Sequence, residues 1–141
     1  MADQPNIFLI VLDTMRRDYI ECYNPEVKTP NLMKLCEDSA VYHDAIAPSS
    51  WTIPSHASMF TGKYVSGHGV HETKESKRWE EMHERIKRYE GSTLAEELRA
   101  SGYNTVGITS NSYVGPATGF DRGFSHLMYN SGVTDYFYSK L

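Results

Sequence analysis

The chain has 141 residues, the usual size of a single domain. Its hydrophobic fraction of 40% and its charged fraction of 23% are ordinary for a soluble globular protein. A net charge of -4 argues against a nucleic-acid-binding surface, which normally has a basic face.

The sequence contains neither a targeting signal nor a membrane-spanning segment. The first six residues lack a basic region and a cleavable apolar segment, so we expect a cytoplasmic protein. The longest apolar run, residues 7–12, is far shorter than the roughly 20 residues that span a bilayer. Cys22 and Cys36 are too few for a disulfide framework and lack the spacing of a zinc site, so we expect reduced thiols, with Cys36 in the core on a helix.

The first predicted element is a buried strand over residues 6–13. It is a continuous apolar run of branched residues that ends at Asp13, as in a parallel sheet covered on both faces. Thr29 and Pro30 predict the start of a helix that continues to about Ala40. Residues 41–45 are a candidate for a short second strand.

The middle of the chain alternates between loops and helices. Residues 47–54 predict a loop because of their prolines and serines, and residues 55–60 a short helix that ends near Gly62. Residues 63–73 are predicted to be irregular. Residues 74–90 predict a solvated surface helix to which we assign no chemistry. Its apolar stripe is formed by Trp79, Met82, Ile86 and Tyr89.

The last predicted elements give the fold class. Thr93 and Glu96 form a capping box that opens a helix ending at Gly102, and residues 103–109 predict a buried strand. Strands and helices in alternation predict an α/β fold with a largely parallel sheet flanked by helices. Residues 118–141 carry weak strand signals and no terminating element, so we expect residues 1–141 to be a truncated part of a longer protein.

Two residues carry the first signs of chemistry. Asp13 follows the first predicted strand, where parallel sheets bind ligands, and its carboxylate suits a hard cation. The alternative is an ordinary turn or cap residue. Thr52 precedes a predicted short helix, whose N-terminus favours an anion such as phosphate or sulfate. The alternative is that Thr52 only caps that helix.

In order along the chain, these patterns resemble the sulfatase and alkaline phosphatase superfamily. The resemblance rests on residues 5–13, 30–32, 50–64 and 68–70, and Gly119–Phe124 is similar to a segment common in prokaryotic sulfatase-like proteins. It implies an alkaline phosphatase-like α/β fold, with residues 1–141 as the N-terminal part of the catalytic domain.

The resemblance also implies roles for individual residues. Asp13 and Thr52 take the positions of metal ligands, and Thr52 also takes that of the nucleophile, which implies a divalent cation such as Zn, Mn, Mg or Ca. His56 takes the position of a residue that supports the nucleophile or the bound anion and so binds substrate. His68 takes a structural or supporting position behind the site. For both histidines, the alternative is an ordinary core residue.

Several departures from the pattern bear on the substrate. Typical sulfatases have a Cys or Ser converted to formylglycine, with an Arg four residues later; this chain has Thr52 and His56, so formylglycine cannot form. Thr14 replaces the second carboxylate of the first strand. The usual Gly-Lys-Trp-His segment corresponds to residues 109–112, where Asn111 could donate one hydrogen bond to substrate.

Thr-x-Pro-x-His instead resembles the nucleotide pyrophosphatase/phosphodiesterase branch, although the Asn expected near Thr73 is absent. We therefore predict a metal-dependent hydrolase of small-molecule phosphate, phosphonate or sulfate esters, with phosphorus esters favoured. The alternative is a non-catalytic binding or scaffold module that keeps the fold. Because two ligands do not hold a catalytic cation, we expect the 141 residues alone to be inactive.

Overall fold

The computed structural model describes residues 4–71 and 84–129. The chain forms two compact units, Met1–Ile46 and Ala47–Leu141. The first unit contains a 3-10 turn, Arg17–Tyr19, and helix α1, Pro30–Glu37. Proline occupies the first helical position, where its missing N–H breaks no helical hydrogen bond. The helix was predicted to reach Ala40 and ends three residues earlier.

Two strands predicted in the first unit are wrong. Residues 6–13 form no strand, and Phe8 and Ile10 are 85% and 77% exposed, so the run is not covered on both faces. Residues 41–45 contain a turn instead. A strand needs a neighbouring strand to pair its backbone groups, and the one ladder among the described residues joins segments of the second unit.

Among the described residues of the second unit, the named helices are α2 (Thr52–Thr61), α3 (Val65–His68) and α4 (Leu94–Ala100). Helix α2 begins three residues earlier than predicted. Pro54 lies in its first turn, where backbone N–H groups have no intrahelical acceptor in any case, so proline does not break the helix. Helix α3 lies in a segment that was predicted to be irregular.

The predicted helix over residues 74–90 lies only partly within the described residues. Residues 84–87 are helical. Ile86 is 1% exposed and Tyr89 packs partly buried against the core, which confirms the predicted stripe at these two positions. Trp79 and Met82 lie outside the described residues.

The predicted capping box of α4 is confirmed. The hydroxyl of Thr93 accepts a hydrogen bond from the Glu96 N–H at 3.2 Å, and the Glu96 carboxylate accepts one from the Thr93 N–H at 2.8 Å. Two N–H groups at the start of the helix, which would otherwise lack acceptors, are thereby satisfied.

The sheet of the described residues has two parallel strands, β1 (Val106–Thr109) and β2 (His126–Tyr129). Strand β1 lies within the predicted segment 103–109, whereas β2 lies in the segment 118–141, whose strand signals are weak. Helices together with parallel strands confirm the predicted α/β class. The aromatic residues Tyr136 to Tyr138 lie outside the described residues.

The core of the second unit is built around the inner face of α2. Ile53 and Ala57 are completely buried there, and the ring of Phe60 meets those of Phe120 and Phe124 edge-on, with centroids 5.6 and 6.3 Å apart. Burial of a large side chain such as Ile53 or Phe120 contributes roughly 1.5–3 kcal/mol. Helix α2 is therefore firmly held. The remaining buried members are Val70, Ile86 and Val114.

Candidate active site

The N-terminal end of α2 carries the predicted nucleophile. Thr52 is the first residue of this ten-residue helix, and Trp51 before it is extended, with φ −152° and ψ 170°. Thr52 is half-buried, while Ile53 next to it points into the core. Thr52 therefore belongs to the first turn of α2, whose backbone N–H groups lack intrahelical acceptors, and such groups attract anions.

His56 lies one turn further along α2 and is 7% exposed. Its Nδ1 is 2.9 Å from the Thr52 carbonyl oxygen, and its ring meets Phe60 and Phe120 edge-on. A carbonyl oxygen only accepts, so Nδ1 carries the proton and Nε2 of the neutral ring is an acceptor. These contacts tie the first turn of α2 to the aromatic core. Direct binding of substrate by His56 stays a prediction.

His68 joins the end of α3 to α2. Its Nδ1 accepts a hydrogen bond from the Val70 N–H at 3.0 Å, and its Nε2 is 2.8 Å from the Ser58 hydroxyl. With Nδ1 accepting, the neutral ring donates from Nε2, so His68 does not act as a base towards Ser58. Burial, and then the neighbouring His71, lower the pKa of His68. A structural or supporting role of His68 at the site of Thr52 stays a prediction. The hydrogen bond to Ser58 joins His68 to the same helix as Thr52.

Asp13 belongs to the first unit and is exposed. The next residue, Thr14, has φ +60°, and its hydroxyl donates to the Asp13 carbonyl oxygen at 2.7 Å. A β-branched residue in the left-handed region is strained, and such strain is concentrated at functional sites. The backbone conformation next to Asp13 is therefore unusual where the sequence predicted a metal ligand. Its role as ligand stays a prediction.

The donors for the predicted cation are suitable in kind and insufficient in number. A carboxylate such as Asp13 and a hydroxyl such as Thr52 are oxygen donors, which hard divalent cations prefer. A catalytic zinc site has three protein ligands. Among residues 4–71 and 84–129, no three His, Cys, Asp or Glu side chains are grouped to hold a metal ion.

Asn111, the other predicted substrate contact, follows the end of β1. Its side-chain oxygen accepts from the Tyr113 N–H at 2.9 Å, and its own N–H donates to the Thr109 hydroxyl at 3.1 Å. A hydrogen bond from the Asn111 side chain to substrate stays a prediction. The position of Asn111 beyond the carboxyl end of a parallel strand is where α/β proteins bind ligands.

Arg122 has a role that sequence reasoning missed. Its guanidinium donates to the carbonyl oxygens of Tyr89 and Gly91 at 2.7 and 3.0 Å, and to both carboxylate oxygens of Glu96 at 3.2 and 3.0 Å. The segment Gly119–Phe124 was singled out by resemblance alone. The groups that accept hydrogen bonds from Arg122 lie 26 to 33 positions earlier in the chain, so no local sequence pattern indicates them.

Glu96 is held ionised by this arrangement. Burial raises its pKa, but the hydrogen bonds from Thr93 and the charge of Arg122 outweigh burial, so the pKa lies below its usual value. The segment that carries Arg122 thus fixes the capped end of α4 and the chain just before it.

Comparison with known proteins settles the family. The family model described as Sulfatase matches residues 5–141, nearly the whole chain. The chain belongs to the Sulfatase family. This confirms the resemblance to the sulfatase and alkaline phosphatase superfamily.

Similar proteins include an arylsulfatase of Klebsiella aerogenes, 29% identical over 96% of this chain and 30% of its own length. The multifunctional alkaline phosphatase superfamily protein PehA of Trinickia caryophylli is 35% identical over 45% of this chain and 13% of its length. Ectonucleotide pyrophosphatase/phosphodiesterase family member 3 of Rattus norvegicus is 31% identical over 48% of this chain and 8% of its length. The chain thus spans less than a third of each relative. No solved structure matches it.

Proposed function

We propose that the complete Sulfatase-family protein is a metal-dependent hydrolase of phosphate, phosphonate or sulfate esters, with Thr52 as nucleophile and Asp13 as a metal ligand. The observation that carries the proposal is the position of Thr52 as the first residue of α2, within the residues that the family model matches. The names of two relatives, arylsulfatase and ectonucleotide pyrophosphatase/phosphodiesterase, support ester hydrolysis.

The chemistry follows from the place of Thr52 at the N-terminus of α2. The N–H groups at the start of α2 attract the anionic oxygens of a phosphate or sulfate ester towards Thr52. The Thr52 oxygen then attacks the phosphorus or sulfur atom, the bond to the ester oxygen breaks, and the alcohol leaves with the proton that Thr52 loses. Water next attacks the same atom of the Thr52 ester, which releases the phosphate, phosphonate or sulfate product and returns the hydroxyl to Thr52. A divalent cation, when bound, lowers the pKa of a coordinated hydroxyl and offsets negative charge on the transferred group.

A phosphorus ester is the favoured substrate class. A threonine hydroxyl is an ordinary nucleophile towards phosphorus, whereas the resemblance links sulfate hydrolysis to formylglycine, which cannot be made from Thr52. The relatives called PehA and ectonucleotide pyrophosphatase/phosphodiesterase match 45% and 48% of this chain. Their names support a phosphorus ester as the substrate.

The test is a substrate panel on the complete protein. Aryl phosphate, aryl phosphodiester, aryl phosphonate and aryl sulfate are assayed with Zn²⁺, Mn²⁺, Mg²⁺ and Ca²⁺ in turn. We expect the highest kcat/KM on a phosphorus ester. Highest activity on the sulfate would contradict the substrate preference, and no turnover of any ester with any cation would favour the non-catalytic alternative.

The nucleophile is tested by matched substitutions in α2. Thr52→Ala should lower kcat/KM about a thousandfold or more, and Thr52→Ser should keep part of the activity because it retains a hydroxyl. Thr61→Ala is the control, since it removes a hydroxyl that donates to the Ala57 carbonyl oxygen at the other end of the helix. Near-normal activity of Thr52→Ala, with Thr61→Ala also active, would remove Thr52 from the mechanism.

A further inference from the structure

The two cysteines of the chain lie side by side within the first unit. Cys36 is in α1, Cys22 is in the turn before it, and the two are 14 positions apart. The Cys36 thiol donates to the Cys22 sulfur with the Sγ atoms 2.8 Å apart. A covalent S–S bond is about 2.04 Å long, so the sulfur atoms need to move by less than about 1 Å to bond.

The backbone holds the two cysteines in this arrangement through the residues next to each. The Glu21 N–H donates to the Thr29 hydroxyl at 2.9 Å, and the Thr29 N–H donates to the Glu21 carboxylate at 3.0 Å. Lys28 adds an ion pair to Glu21 at 2.9 Å, although Lys28 is largely exposed and this pair contributes little. The reciprocal bonds fix the residue before Cys22 to the residue before α1.

The turn that carries Cys22 is itself hydrogen bonded. The N–H groups of Tyr23 and Asn24 both donate to the Ile20 carbonyl oxygen at 3.0 Å. At the other side, the Met33 N–H donates to the Thr29 carbonyl oxygen at 2.8 Å and closes the first turn of α1. Local hydrogen bonds therefore position both thiols, and the short distance between the two sulfur atoms does not depend on a distant part of the chain.

Both thiols are also reachable. Cys22 and Cys36 are free and half-buried, and no described residue of this unit is fully buried, so small reagents can reach the sulfur atoms. The hydrogen bond to Cys22, followed by burial, raises the pKa of Cys36. Cys36 therefore retains its proton, and Cys22, the acceptor of that hydrogen bond, is the sulfur suited to attack first.

We propose that Cys22 and Cys36 form an oxidisable dithiol site whose co-reactant is a hydroperoxide. The Cys22 sulfur attacks one peroxide oxygen, the O–O bond breaks, and Cys22 sulfenic acid and one water form. The Cys36 sulfur then attacks the sulfenic sulfur, its proton leaves with the hydroxyl as a second water, and the S–S bond closes. Two thiols are oxidised and one hydrogen peroxide is reduced to two waters.

The oxidised site would link the turn before α1 to the last turn of that helix. The new bond closes a loop over residues 22–36, which lowers the entropy of the unfolded chain and stabilises the oxidised form. A gain in resistance to unfolding on oxidation is therefore expected for the first unit, which otherwise lacks fully buried residues among those described.

The experiment uses the 141-residue chain and hydrogen peroxide. Because the sequence has only two cysteines, any intramolecular disulfide must be this pair. With one equivalent of peroxide, we expect loss of both maleimide-reactive thiols, loss of two hydrogens by intact mass, and full reversal by dithiothreitol. Closure should be about tenfold faster in native buffer than in concentrated urea, because the fold holds the thiols together.

Single variants and a second probe separate the alternatives. Cys36→Ser should stop at sulfenic acid on Cys22, without an intramolecular bond. Phenylarsine oxide, which bridges two adjacent thiols, should bind the wild-type chain one to one in native buffer and bind Cys36→Ser weakly. Equal closure rates with and without urea, disulfide-linked dimers as the product, or independent alkylation of both thiols after peroxide would each overturn the proposal.

Discussion

At the scale of single residues, the buried hydrogen bond between Ser58 and His68 adds a polar contact between α2 and α3. The Ser58 hydroxyl and His68 are both buried, and each satisfies the other across two helices. A buried polar atom without a partner costs about 1–3 kcal/mol, so neither side chain is replaceable by an apolar one without loss. The pair gives the end of α3 a fixed position on α2.

This pair predicts a pH-dependent stability. Burial lowers the pKa of His68 in the folded chain, so the unfolded chain binds the proton more readily. The contribution of His68 is therefore complete above about pH 6.5 and is lost as the pH falls from there through the lowered pKa. Urea unfolding between about pH 5 and 7.5 should show this fall, and His68→Asn should reduce it. His126 is exposed, so His126→Asn is the control and should keep the wild-type dependence of stability on pH. If His68→Asn and the wild type showed the same dependence, His68 would not be its source.

Gly123 is a position at which an added Cβ atom should lower the stability of the fold. It has φ +82°, and a Cβ there would lie 2.3 Å from the Glu96 nitrogen and 2.6 Å from the Ala95 carbonyl carbon. We expect Gly123→Ala to lower the free energy of unfolding by about 2–4 kcal/mol, from strain and backbone overlap together. Gly102→Ala is the matched control, since Gly102 has φ +91° with open space around it. Its cost should be only about 1 kcal/mol from strain, and equal losses in urea unfolding would show that the overlap is relieved.

At the scale of elements, α4 depends on its capped N-terminus. The Thr93 hydroxyl accepts from the Glu96 N–H and also donates to the Arg122 carbonyl oxygen at 3.3 Å. Thr93→Ala should therefore lower the free energy of unfolding by about 1–2 kcal/mol, measured from the urea midpoint. Ser92→Ala, an exposed neighbour outside the cap, should change it by less than about 0.5 kcal/mol. Similar effects of the two substitutions would argue against the cap as a source of stability.

At the scale of the whole molecule, the affinity for divalent cations shows whether the 141 residues contain a complete metal site. The described residues gather no set of three metal-binding side chains, and Asp13 and Thr52 alone do not make a catalytic site. We therefore expect isothermal titration calorimetry of the metal-free 141-residue chain to show no tight binding of Zn²⁺ or Mn²⁺. One cation bound tightly per chain, and lost in Asp13→Asn, would show that the chain completes a site by itself.

The residues described contain no helix long and apolar enough to cross a membrane.

Local sequence was sufficient where the structure depends on neighbours in the chain. The capping box at Thr93, the start of α1 at Pro30 and the strand at β1 all follow from residues a few positions apart. The family motif around Thr52 was equally readable, because spacing within a motif is a property of the chain alone. Features of this kind predict the α/β class and the resemblance to the sulfatase and alkaline phosphatase superfamily.

The tertiary structure decided everything that depends on partners distant in the chain. An apolar run predicted a strand over residues 6–13, but pairing and coverage come from other segments, and the described residues provide neither. The acceptors of Arg122, the pairing of Ser58 with His68, and the pairing of β2 with β1 join positions 10 to 33 residues apart. Sequence determines which groups need a partner; only the folded chain determines which partner each group finds, because that choice depends on distances that no local pattern contains.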